Sequence, residues 1–226
     1  MDIGLEKQWQ GKKWYCYGTS MTDNNLTNYE DNDDNSGTGH YSHYLAKYSG
    51  LIQHNFGLGG SGIIPSLEHG GTIKSRTMTL EDGKEQADLI TVEIIPNDGK
   101  GNLGIITDKG DDTFCGNLNQ ILEYLLTNTK ALVIVLIATR STLSAPCTEG
   151  ALKRLEWEKA TEEICKMHGV PCFNGAAEAG LGYYKMINKS PYIKDHIHLT
   201  KLGGKQLAQY FWGRLKNYYP YSDNVE

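Results

Sequence analysis

Residues 131–138 read Ala-Leu-Val-Ile-Val-Leu-Ile-Ala. A run that is apolar at every position and rich in β-branched side chains suits a strand covered by helices on both faces, as in the centre of a parallel sheet. It is far short of the ~20 residues that a membrane span requires. On its N-terminal side, Leu118, Ile121, Leu122, Leu125 and Leu126 fall at i, i+3, i+4, i+7 and i+8, the apolar stripe of an amphipathic helix. On its C-terminal side, Trp157, Ala160, Ile164 and Met167 mark a long helix over 149–168 with all four in the core, closed by Gly169 in the C′ position.

The same alternation continues outward. Lys13 to Tyr17 (KWYCY), Leu51 to Phe56, Leu89 to Ile95 and Val170 to Phe173 read as strands. A short helix is expected from His40 to Tyr48, and a final one carries Leu207, Phe211 and Leu215 at i, i+4 and i+8. The segment 73–86 is ambiguous. This order predicts an α/β fold, a three-layer α/β/α sandwich of flavodoxin-like type around a mostly parallel five-stranded sheet. The 226 residues suit a single domain spanning 1–226, with a polar loop insertion at about 21–39 (MTDNNLTNYEDNDDNSGTG).

Composition narrows the function classes. With 22 Lys plus Arg against 27 Asp plus Glu, the formal net charge is −5, and no basic field exists to hold a phosphate backbone; nucleic acid is not an expected partner. The N-terminus (MDIGLEKQWQGKKW) lacks the apolar region of a secretory signal, so a cytoplasmic location is the default expectation. Five cysteines (Cys16, Cys115, Cys147, Cys165 and Cys172) without a CxxC spacing fit reduced, packed thiols rather than a disulfide framework or a zinc ribbon.

Ligands of open α/β sheets bind beyond the carboxyl ends of the strands. Four segments fall there: Gly18-Thr19-Ser20-Met21-Thr22, Asn55-Phe56-Gly57-Leu58-Gly59-Gly60, Pro96-Asn97-Asp98, and Lys194-Asp195-His196-Ile197-His198-Leu199 before the last helix. Together they supply what acyl transfer needs. A serine hydroxyl becomes nucleophilic when a base removes its proton. His198 can be that base, and Asp195, three residues earlier, can hold its tautomer and stabilise the imidazolium. The Ser20 and Gly60 amides and the Asn97 side chain are candidate donors to the oxyanion.

These segments resemble, in order, the four blocks of the SGNH (GDSL-type) hydrolases. Gly18-Thr19-Ser20-Met21 is similar to the family's Gly-Asp-Ser-Leu, NFGLGG to its glycine block, Ile95-Pro96-Asn97-Asp98 to its Gly-x-Asn-Asp block, and Asp195 to His198 to its closing Asp-x-x-His. The similarity runs from 13 to 216. It implies a serine ester hydrolase (a carboxylic ester hydrolase or acylhydrolase) with catalytic Ser20, His198 and Asp195. An oxyanion hole of Ser20, Gly60 and Asn97 is implied too, with no cofactor and no metal. Two positions depart from the pattern: Thr19 replaces the aspartate of the first block, and Ile95-Pro96 replaces the glycine of the third, where proline removes a backbone donor. The family covers lipases, lysophospholipases, thioesterases and carbohydrate O-deacetylases. The polar loop after Ser20 and the absence of a long apolar cap favour a short acyl ester of a small molecule or carbohydrate as substrate.

Alternatives stand beside this reading. A catalytically weak glycan-binding module would keep the fold. Gly57, Gly59 and Gly62 spell the dinucleotide fingerprint GxGxxG, but Pro65 sits where its helix should be running. Asp195, His196 and His198, with His40 and His43, form a possible zinc set. Glu30, Asp31, Asp33 and Asp34 lack EF-hand spacing. His196 competes with His198 as base, Asn97-Asp98-Gly99 reads equally as a plain turn, and Tyr183, Tyr184 and Tyr192 are candidates to stack on sugar rings.

Overall fold

Trp14 shows how the sheet is assembled: its indole is fully buried, and its N–H donates to the Thr91 hydroxyl at 2.9 Å across two neighbouring strands. In the computed structural model the described residues are 7–23, 40–64, 72–79, 83–94, 97–98, 101–139, 149–181, 191–195 and 197–221. Five strands form the sheet: β1 (Lys13–Gly18), β2 (Ile52–Gly57), β3 (Leu89–Glu93), β4 (Leu132–Ile137) and β5 (Cys172–Asn174), in the order β2-β1-β3-β4-β5. Every pairing is parallel. This is the flavodoxin-like order, in which the chain reverses its direction of travel across the sheet at β1.

The alternation of side chains along each strand divides the core in two. On one face Tyr15, Tyr17, Ile90, Val92, Val133 and Val135 pack beneath α2 (Ile73–Thr77), α3 (Phe114–Asn128) and α4 (Glu149–His168). On the other, Trp14, Cys16, Leu89, Ile134 and Leu136 pack beneath α1 (Tyr41–Ser49) and α6 (Lys201–Leu215). All of β4 is buried, as a strand sandwiched between helix layers should be. Each fully buried Leu, Ile or Phe here contributes roughly 1.5–3 kcal/mol of transfer free energy.

Helix ends follow local chemistry. Thr113 caps α3 by accepting the Gly116 amide, and Thr200 caps α6 by accepting the Gly203 amide. Gly50 (φ 73°) and Gly169 (φ 67°) terminate α1 and α4 in the left-handed region.

Several expectations are revised. Met167 is 51% exposed rather than core, and Leu126 at the end of the α3 stripe is 42% exposed. The third strand ends at Glu93, and the fifth is shifted to Cys172–Asn174, followed by a four-residue helix α5 (Gly175–Glu178) that carries no periodic signal. Within segment 73–86 the described residues include α2 and a 3-10 turn at Lys84–Gln86. The polar loop from residue 24 to 39, Ile95-Pro96, Cys147, Tyr183, Tyr184 and His196 lie outside the described residues. None of the described helices is long and apolar enough to cross a membrane.

Candidate active site

The site forms at the carboxyl ends of β1, β2 and β3, beside the point where the strand order reverses. β1 ends at Gly18, and the chain turns at once: the Thr19 carbonyl accepts the amides of Thr22 and Asp23, each at 3.0 Å. This tight turn carries Ser20. Gly18 is required there because a Cβ would collide with the Thr22 hydroxyl and the Glu93 carboxylate.

His198 arrives from the other end of the sequence on a narrow loop. Thr200 N–H donates to Tyr192 O at 2.9 Å and Lys194 N–H to His198 O at 2.8 Å, so residues 192–200 double back just before α6 starts. That geometry brings His198 Nε2 to 2.9 Å from Ser20 Oγ, across 178 residues of sequence. Nδ1 of the same ring lies 2.9 Å from both carboxylate oxygens of Asp195. The carboxylate also shapes its own loop, since Oδ1 accepts the His198 amide at 2.9 Å and the Ile197 amide at 3.4 Å. Desolvation pushes the Asp195 carboxyl up, but the His198 amide, the imidazole and the Ile197 amide outweigh it and hold it below the usual carboxylate range. The imidazole is 28% exposed and Asp195 51% exposed, so the dyad faces solvent while Ser20 is half-buried.

The glycine segment lies opposite. Leu58 N–H donates to Gly18 O, Asn55 holds the Thr22 carbonyl through its side-chain amide at 2.7 Å, and Gly59 N–H donates to Asp23 Oδ2 at 2.9 Å. Gly60 has φ 76°, a conformation that favours glycine. Among the described residues, neither the Ser20 nor the Gly60 amide donates to a protein acceptor. Asn97 points one side-chain N–H at the Ser61 carbonyl, 2.8 Å away, and its second N–H has no acceptor among the described residues. Its neighbour Asp98 is buried and anchors the glycine segment by accepting the Ile63 and Ile64 amides at 2.7 and 3.2 Å. Asn97-Asp98 is therefore more than a plain turn: both side chains fasten the segment that contains Gly60.

The other sequence candidates are placed differently. Gly57, Gly59 and Gly62 form no phosphate cradle, because a Cβ on Gly57 would collide with the Asp23 amide nitrogen and Asp23 occupies the Gly59 N–H. His40 is buried and His43 is exposed on α1. Among the described residues no group of three His, Cys, Asp or Glu side chains is placed to hold a metal ion. Tyr192 is half-buried and packs against the core cluster under α6. Cys16, Cys115 and Cys165 are buried free thiols and Cys172 is half-buried; burial pushes the Cys16 thiol up to about 12.

Sequence reasoning missed Arg76 and Glu93. The Arg76 guanidinium donates to the carbonyls of Gly18 and Phe56 and to the Ser61 hydroxyl, so it ties together the ends of β1 and β2. Its signal in the sequence was weak, one arginine in an ambiguous segment. Glu93 was visible as a lone charge inside LITVEII.

No family model matches the chain, and no curated protein does. Solved structures do. A protein from Lactobacillus plantarum aligns over 93% of this chain and 99% of its own, with TM-score 0.73 and 24% identity. An acetylxylan esterase from Geobacillus stearothermophilus aligns over 94% of this chain and 97% of its own, with TM-score 0.64 and 16% identity. The fold is that of the SGNH/GDSL-type hydrolases. A protein from Bacteroides ovatus described as GDSL-like lipase has it as well, over 92% of this chain and 100% of its own, at TM-score 0.62 and 13% identity. At these identities the likeness concerns the backbone path alone.

Proposed function

We propose that the protein is a serine ester hydrolase acting on short acyl esters, with O-acetylated carbohydrate as the favoured substrate class. The observation that carries this reading is the unbroken chain Ser20 Oγ–His198 Nε2, His198 Nδ1–Asp195, with each link at 2.9 Å. A serine, a histidine and an aspartate from opposite ends of the sequence meet in this register when the serine is to be deprotonated.

In the first half-reaction Ser20 Oγ attacks the ester carbonyl carbon while its proton passes to His198 Nε2. Asp195 keeps Nδ1 protonated and stabilises the imidazolium. The carbonyl electrons move onto oxygen, where the Ser20 and Gly60 amides and the second side-chain N–H of Asn97 receive the charge; one such donor is worth roughly 10²–10³ in rate. Collapse expels the alcohol, which takes its proton from His198. Water then repeats the sequence on the acyl-serine, with His198 again as base, and releases the acid and free Ser20.

Support for a short acyl group comes from the acetylxylan esterase of the same fold and from the polar character of the sequence that follows Ser20. The experiment is p-nitrophenyl ester hydrolysis by wild type, Ser20→Ala and His198→Ala, comparing acetate with octanoate. Turnover of acetate that disappears in both variants, with octanoate slower, is the expected result. Faster octanoate turnover points instead to a lysophospholipase- or thioesterase-type lipase. No turnover of either ester by folded wild type removes the enzyme reading and leaves a glycan-binding module.

A further inference from the structure

Glu93 ends β3 with its side chain fully buried, in a strand whose other positions are Leu89, Ile90, Thr91 and Val92. Burying a carboxyl group costs free energy unless it is hydrogen-bonded. Among the described residues, every hydrogen-bond partner of this one lies in the turn that carries Ser20. Glu93 Oε2 accepts the Thr19 amide at 2.7 Å, the Thr19 hydroxyl at 2.9 Å and the Thr22 hydroxyl at 3.2 Å. Thr19 is the pivot of that turn: its carbonyl accepts the Thr22 and Asp23 amides, and its hydroxyl accepts the Met21 amide at 3.2 Å. The bare Gly18 is what lets the carboxylate approach, since a Cβ there would stand 2.6 Å from Oε2. On the far side Tyr41 O–H shares a 2.9 Å bond with the Thr22 hydroxyl.

We propose that Glu93 is a positioning residue for Ser20, holding the nucleophile's turn against the end of β3 as a hydrogen-bond acceptor for Thr19 and Thr22. The inference rests on the reading of Ser20 as nucleophile. The role belongs to the oxygen and not to the charge. Burial pushes the Glu93 carboxyl up to about 7, and Oε1 has no partner among the described residues. A proton taken up near neutrality therefore sits on Oε1, while Oε2 goes on accepting the same three bonds. It also gives Thr19 a purpose where the family pattern has aspartate. A threonine offers Glu93 a hydroxyl donor, whereas an aspartate would set a second carboxyl group against it.

Acceptor geometry and mere stability predict different kinetics. The measurement is kcat and KM for p-nitrophenyl acetate, with a thermal melt of each protein, for wild type, Ser20→Ala, Glu93→Leu, Glu93→Gln and Thr19→Val. Glu93→Leu removes every acceptor, so Ser20 shifts relative to His198 and kcat falls about ten- to a hundredfold, within the cost of a small displacement of a reacting group. KM stays within about twofold, because the turn does not hold the substrate by itself. Glu93→Gln presents its amide oxygen where Oε2 was and recovers kcat to within about threefold of wild type. It melts lower, because its NH₂ is buried without an acceptor. Thr19→Val keeps the amide donor and loses the hydroxyl; its kcat falls about three- to tenfold with KM unchanged. Should Glu93→Leu fail to fold, the other two variants decide the matter. Wild-type kcat in folded Glu93→Leu, wild-type kcat in Thr19→Val, or a loss in Glu93→Gln as large as in Glu93→Leu overturns the proposal. Activity that survives Ser20→Ala overturns the nucleophile reading itself, and so separates that failure from this one.

Discussion

Replacing Asp195 by asparagine changes one oxygen for an NH₂ group and leaves the shape of the side chain intact. The amide oxygen can still accept the His198 and Ile197 amides that Oδ1 now accepts, so the loop keeps its form. What is lost is the negative charge beside the imidazole and the certainty of its tautomer. With both carboxylate oxygens 2.9 Å from Nδ1, the charge centres of carboxylate and imidazolium are about 4 Å apart. Their attraction is about 4 kcal/mol at the effective dielectric of a protein surface and ~1 kcal/mol in bulk water. The 51% exposure of Asp195 sets the value between those limits, near 2 kcal/mol at roughly thirtyfold in rate. An NH₂ aimed at Nδ1 adds to this by favouring the tautomer with its proton on Nε2, which cannot receive the Ser20 proton. Asp195→Asn is therefore expected to lower kcat for p-nitrophenyl acetate by about 10²–10³, with KM changed little and the melting temperature unchanged. Asp195→Ala is the contrast, since it also removes the acceptor for two loop amides. A kcat for Asp195→Asn within about twofold of wild type would refute the argument that Asp195 acts through His198.

Three further outcomes follow from buried groups. Glu93, with its carboxyl raised to about 7 in the fold against about 4.5 when exposed, carries its proton in the folded protein and not in the unfolded chain between those values. Its stability contribution is complete below pH ~4.5 and is lost as pH rises through ~7, a fall of about 3 kcal/mol. Glu93→Gln lacks that term, so in urea titrations the gap between wild type and variant narrows as pH rises from 4.5 to 7; a gap constant with pH contradicts the assignment. Asp98→Ala strips the acceptor from the buried Ile63 and Ile64 amides. It should cost roughly 3 kcal/mol, or about 6–12 °C in melting temperature, by calorimetry. Cys16, buried and with its thiol raised to about 12, should stay unmodified by iodoacetamide at pH 8 in the native protein and react once urea unfolds it, as read by peptide mass spectrometry.

The sheet was readable because parallel strands buried on both faces announce themselves, as residues 131–138 do, and because a helix lies between each strand and the next from β1 to β5. The alternation pointed to a doubly wound sandwich, and the order β2-β1-β3-β4-β5 within it came from the structure. Helix margins were less readable. Leu126 and Met167 each lie about 80° round the helix from the first residue of their stripe, at the edge of the buried arc, and only the packed neighbours decide which side of the edge they fall on. Ser20, His198 and Asp195 could be picked out because each sits next to a strand end or a helix start in a recognisable order. What holds them could not. The bond from Glu93 to Thr19 joins residues 74 apart, and Arg76 spans 58 residues to reach Gly18. Such contacts come into being only when β1, β2 and β3 lie side by side, and their traces in the sequence were a lone charge in an apolar strand and one arginine in an ambiguous segment.

The central claim is that Ser20 is a nucleophile activated by His198. Its most direct measurement is fluorophosphonate labelling of the native protein, with the modified residue located by peptide mass spectrometry in wild type, Ser20→Ala and His198→Ala. One covalent adduct per chain is expected on Ser20, absent in Ser20→Ala and formed far more slowly in His198→Ala. An adduct on another residue, no adduct on folded wild type, or labelling of Ser20 at the same rate without His198 would contradict it.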